Sequence, residues 1–172
     1  MGLFGKKKPV LSSSQIQKWF RSEEALIQPF ILSAVLLEGD LSDAGLDTHQ
    51  KAVFNSLIIL GVLEQLNESG FNGELPKDLI TGSLHEHLIE PPFKFDKKTA
   101  SRIVFAADRG REKYRSYSEL RFRGTQRVNP VISAVNENSD DSAGALLRAW
   151  NIEEFYSDSD LITEFMSDYK KI

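Results

Sequence analysis

The sequence predicts an all-α fold: a compact single-domain bundle of about six to eight helices. Three observations carry that reading. Apolar residues recur with helical period over most of the chain, long period-2 alternation is absent, and helix start and stop signals recur from end to end. At 172 residues the chain is long enough to build one sizeable core. It shows no fixed-period repeat of the kind that builds solenoids. Apolar residues at 41% and charged residues at 27% give the balance of a globular chain rather than a disordered one.

The elements follow in order. Residues 1–13, with Lys6, Lys7 and Lys8, read as a disordered basic tail, and 14–172 as a single all-helical domain. Ser14 and Gln17 have capping-box spacing, and Ser22 followed by Glu23 and Glu24 is a second helix start with acids where the helix dipole favours them. Pro29 interrupts this segment, and "ILSAVLLE" continues as an apolar helix over 30–38 that stops near Gly39.

Asp47 caps the next helix, with Gln50 at the capping-box position. That helix, over 48–69, is apolar almost all round and belongs inside the core, with Gly70 as its stop. Helices 30–38 and 48–69 are thus expected to form a central apolar pair. A further helix lies between Pro76 and Pro91-Pro92. Asp96 caps another, expected to run to about Leu120 because Ala100, Ile103, Ala107, Gly110, Tyr114 and Tyr117 keep one period. "GTQRVNP" is expected to break the chain before a short helix at 131–135. A polar loop and two C-terminal helices complete the set.

Charge is unevenly spread along the chain. The net charge is −4, yet residues 96–132 hold 10 basic and 4 acidic side chains and residues 133–172 hold 3 basic and 9 acidic. A basic middle followed by an acidic end is the main global signal. The chain has no cysteine, which removes disulfides and thiolate chemistry and fits a reducing compartment. The longest apolar run, "LIILGVL", is far short of the ~20 residues of a spanning helix. The lysines near the start are followed by no secretory apolar region. The expectation is a cytoplasmic protein of bacterial type.

Several motifs are partial. "SLHEHLIEPP" places His85 and His87 at i,i+2, which on a helix points them apart, so no metal is expected there. His87 shares the apolar face of Ile80, Leu84 and Leu88 and is either a buried, hydrogen-bonded ring or a pocket residue. His49, in a first helical turn, is expected to be exposed. "DLSDAGLDTHQK" resembles a calcium loop in its first acid and central glycine, but Lys51 stands where the bidentate acid belongs. Gly2 has Lys6 in place of the hydroxyl residue that acylation prefers. At most the tail touches an anionic membrane weakly through its lysines. No phosphate-cradling glycine loop or nucleophile elbow is present, and no cofactor is expected.

Two charged segments remain. "RIVFAADRGREKYRSYSELRFRGTQR" interleaves arginines with Tyr114, Tyr117 and Phe122, and Arg109, Arg111, Arg115, Arg121 and Arg123 form a candidate anion-binding set. The acidic end that follows offers those arginines internal partners. An acidic partner protein is the next expectation and nucleic acid the last, because a pI of 5.4 lacks the basic footprint of a DNA binder. At the acidic end, Glu153, Glu154, Phe155, Tyr156, Asp158 and Asp160 form a candidate surface for a basic protein, with aromatics as anchors and acids to steer encounter. Asp158 and Asp160 equally suit the start of a helix.

The leading expectation is a non-enzymatic module that binds another protein, as adaptor, inhibitor or immunity-type neutraliser. Nucleic-acid or anionic-ligand binding through 102–127 is the alternative. An enzyme with a pocket around His87 is the third.

Overall fold

The computed structural model describes residues 18, 44–68, 77–91, 93–141, 145, 148 and 153–171. Among them are five helices of 11 to 22 residues and one short helical turn, and no strand. The chain is helical, as expected. The tail 1–13, the helix 30–38 with its stop, the loop acids Asp40 and Asp43, and Gly70 and Pro76 lie outside the described residues.

Helix α1, Thr48–Glu68, is the central element. Its start is the predicted reciprocal cap: the Gln50 N–H donates to Asp47 Oδ1 at 2.8 Å, and the Asp47 N–H donates to Gln50 Oε1 at 2.9 Å. Gly45 precedes it at φ 71°, a left-handed conformation that glycine adopts without strain. Every residue from Ala52 to Leu63 is buried, as an all-round apolar sequence requires.

Helix α2, Lys77–Ile89, packs mainly on α3, Lys97–Gly110. The Asp96 carboxylate caps α3 by accepting from the N–H groups of Lys98 and Thr99, both at 3.0 Å. Ala100, Ile103 and Ala107 turn one face of α3 into the core.

The expected single helix to Leu120 is in fact two helices. Arg111–Tyr114 form a turn, closed by the Tyr114 N–H donating to the Gly110 carbonyl at 2.8 Å. A Cβ at Gly110 would lie 2.3 Å from the Tyr117 ring, so the missing side chain lets the following segment fold back against α3. The apolar period survives across the turn because both helices face α1.

Helix α4, Arg115–Asn136, then runs straight through "GTQRVNP", so the expected break and the separate helix at 131–135 are corrected. Gly124 is a packing residue rather than a breaker. Pro130 and Gln126, whose carbonyl loses its donor, both lie on the exposed side, where the carbonyl is open to solvent. Asn138, at φ 50°, closes the helix in the left-handed conformation that asparagine tolerates.

A short turn α5, Glu153–Tyr156, leads to α6, Ser159–Tyr169. Asp158 caps α6 by accepting from the Leu161 N–H at 3.0 Å. Phe54, Tyr117, Tyr156 and Phe165 pack ring on ring at 5.0 to 5.6 Å and tie α1, α4, α5 and α6 together. No helix among the described residues is long and apolar enough to cross a membrane.

Candidate functional site

The arginines of the basic segment separate into two groups. Most of those on α4 are used inside the molecule. Arg121 is buried, with 4% of its surface exposed, and its guanidinium meets the Glu64 carboxylate and donates to the Ala107 carbonyl at 3.3 Å. Burial pulls its pKa down and Glu64 opposes the shift. Arg111, in the turn, shares Glu64 at 3.2 Å. Arg123 donates to Glu119 at 2.8 Å and to Asp158 at 2.7 Å, and these hydrogen bonds hold its pKa above the usual value. Arg115 makes only a long contact with Glu164, 3.9 Å away. The basic helix thus docks on its own acidic end, through Asp158 and Glu164.

The acidic candidates are placed accordingly. Phe155 is buried beneath the Arg127 guanidinium, 5.2 Å from its ring centroid. The Tyr156 hydroxyl donates inward to Asn55 Oδ1 at 2.6 Å. Neither ring is free to anchor a partner. Asp158 serves as a helix cap and Asp160 sits exposed in the first turn of α6. Glu153 and Glu154 lie on α5, and their side chains fall outside the description.

The histidines lie apart. His85 Nε2 lies 3.1 Å from both the Lys97 carbonyl and Ser101 Oγ, holding α2 to α3. His87 is on the opposite side, buried, with its ring edge-on to Phe93 at 5.7 Å. Burial pushes its pKa down to about 4, so the ring is neutral near pH 7. Among the described residues no three His, Asp or Glu side chains are placed to share a metal ion. His49 corrects its expectation. It is half-buried, because its Nδ1 hydrogen-bonds the Tyr169 hydroxyl and its ring packs against Phe95 and Tyr169.

The other group of cations lines an open cleft of about 920 Å³ on the outer side of α3. Lys98, Arg102, Phe105 and Arg109 stand at i, i+4, i+7 and i+11, which puts them on one helical face. Lys113 extends the row past the helix end. Tyr114, Tyr169 and His49 line the cleft as well, and Lys171 enters from the C-terminus. Among the described residues, no carboxylate lines the cleft. Lys98, Arg102, Arg109 and Lys113 are exposed and have no ion-pair partner among the described residues.

The far wall is held by a carboxylate behind it. Asp168 accepts from Ser116 Oγ at 2.8 Å and the Ser116 N–H at 3.4 Å, and Lys171 Nζ donates to it at 2.7 Å. The Tyr114 side chain makes no capping bond, so Asp168 supplies from α6 the acceptor that the start of α4 lacks. Burial pushes this carboxyl's pKa up, but the bonds from Lys171 and Ser116 outweigh that and hold it below the usual range.

Comparisons with protein-family models, curated proteins and solved structures find no match to this chain. The chemistry of the cleft follows from its residues. Like charges in a concave site focus a positive field, and guanidinium groups bind phosphate or carboxylate in a planar fork. Of the sequence-derived anion-binding set, the cleft contains Arg109 alone. The sequence reading placed Arg102 and Lys113 in the basic segment 102–127 without singling them out, and it missed Lys98, Phe105 and Lys171. The seven-residue spacing of Arg102 and Arg109 around Phe105 was the local signal for part of the cleft.

Proposed function

We propose that this protein is a binding module that works through the α3 cleft and that its ligand is anionic. One observation carries this reading: four exposed cations, without ion-pair partners among the described residues, converge with Lys171 on a cleft that no described carboxylate lines. Arg111, Arg121 and Arg123 meet acids within the molecule, whereas these four cleft cations meet none among the described residues. Leaving one face of α3 unpaired keeps like charges close together, an arrangement that an anion relieves.

The reading joins the two functions that the sequence ranks highest. Binding, rather than catalysis, is the role, and the contact surface is basic rather than acidic. Phe155 and Tyr156 turn inward, so neither gives the acidic end an aromatic anchor of the kind a protein contact there would use. His87, buried and outside the cleft, supplies no group to it.

The test is a titration of the full chain with inorganic polyphosphate at low ionic strength, followed by calorimetry. Saturable binding that the paired substitutions Arg102→Glu and Arg109→Glu abolish supports the proposal. Binding that survives both substitutions places the ligand elsewhere and overturns it.

A further inference from the structure

We infer that the α3 cleft takes single-stranded nucleic acid, with a base stacked on Phe105 and phosphates held by Arg102 and Arg109. This rests on the anion-binding reading above and assigns its ligand a chemical class.

The observation behind it is Phe105. With 67% of its surface exposed it is one of two large hydrophobic side chains left in solvent among the described residues. It stands in the cleft, three residues after Arg102 and four before Arg109, so a cation flanks it one helical turn away on either side. An exposed phenyl ring between two guanidinium groups that have no ion-pair partner among the described residues suits a ligand that is anionic and flat in alternation. A single strand has that alternation: phosphates recur along the backbone, and each base offers an apolar face between them. Arginine adds a planar group that also stacks on bases.

Other anions fit less well. A peptide of acidic residues alone pairs with the cations but brings no aromatic face to cover Phe105. A duplex presents phosphates with its bases already stacked on one another, and a helix of this kind on the backbone would leave the ring uncovered. Tyr114, Tyr169 and His49 give the opposite wall aromatic surfaces with polar edges, which suit further bases. Each cation–phosphate contact releases counterions from the strand, so affinity is expected to fall as salt rises.

The experiment compares the full chain with a fluorescein-labelled dT12, the same dT12 annealed to its complement, inorganic polyphosphate and a poly-glutamate peptide, all at low salt. The inference expects dT12 to bind more tightly than the duplex. It expects Phe105→Ala to weaken dT12 by roughly tenfold while polyphosphate binding is retained, and Phe105→Trp to restore dT12. Phe105 is exposed, so the fold does not depend on it. Unchanged dT12 binding in Phe105→Ala, or a parallel loss of dT12 and polyphosphate, overturns the inference and leaves the anion reading standing. Binding of poly-glutamate without dT12 also overturns it, in favour of an acidic protein. Absence of binding to every probe overturns both.

Discussion

Gly61 on α1 and Gly124 on α4 let the two helices cross at backbone contact. A Cβ at Gly61 would fall 2.0 Å from the Arg121 carbonyl oxygen, and one at Gly124 would fall 2.2 Å from the Ile58 carbonyl oxygen. The Thr125 hydroxyl donates to the Gly61 carbonyl at 3.3 Å across the same crossing. Backbone cannot yield as a flexible side chain does. Gly61→Ala and Gly124→Ala are therefore each expected to destabilise by about 1–3 kcal/mol despite alanine's better helix propensity. Gly82, on α2, has nothing within 4 Å of its added Cβ, and Gly82→Ala should stabilise by about 0.5–1 kcal/mol. Urea denaturation of the three variants checks both signs.

Glu64 neutralises a guanidinium that is almost wholly buried. Removing the acid strands Arg121, so Glu64→Ala is expected to cost about 2–3 kcal/mol, less than a fully buried pair because Glu64 is partly exposed. Arg121→Met in the Glu64→Ala background should recover much of that loss, since a well-packed apolar chain replaces an unpaired charge. A double variant no more stable than Glu64→Ala alone contradicts this account of the pair.

His87 should make the fold sensitive to acid. Its folded pKa, about 4, lies below the unfolded value of about 6.5, so the unfolded chain binds the extra proton between those values. The contribution is fully present above pH 6.5 and is lost as pH falls toward 4, on the order of 3 kcal/mol. Thermal unfolding followed from pH 7 to pH 4 should show this slope, and His87→Gln should flatten it. A parallel pair of profiles contradicts the assignment.

Asp168 joins the end of α6 to the start of α4. Asp168→Ala is expected to cost about 1–2 kcal/mol, the range for a helix cap, and to raise amide exchange at Ser116 and its neighbours first. Its carboxyl is held below the usual range when folded, so its stabilising effect is present at neutral pH and is lost as pH falls through the folded pKa. Unchanged exchange at Ser116 in the variant would mean that the cap is dispensable.

What the sequence revealed was mostly local. Asp47, Gln50 and Asp96 were legible because a cap is set by residues three apart in the chain. The burial of α1 was legible because no polar face interrupts it. The division of α3 from α4 was not, because their apolar positions keep one period across Arg111–Tyr114, and the turn depends on Gly110 meeting Tyr117. Pro130 and Gly124 looked like breakers because the local pattern does not say which face is exposed or where another helix comes close. The cleft was legible only on its α3 side. His49, Tyr169 and Lys171 reach it from distant parts of the chain, and that Arg121 and Arg123 are internally paired depends on Glu64 and Asp158 arriving from other helices.

The central claim is that unpaired cations on α3 bind an anion. The most direct measurement is polyphosphate affinity against salt concentration, for the unmodified chain and for the variant carrying Arg102→Gln and Arg109→Gln. Predicted is a linear fall of log affinity with log salt, with a slope that becomes shallower by roughly 0.7 per cation removed, the value for single-stranded nucleic acid. The same slope in both proteins, or affinity indifferent to salt, would contradict the claim.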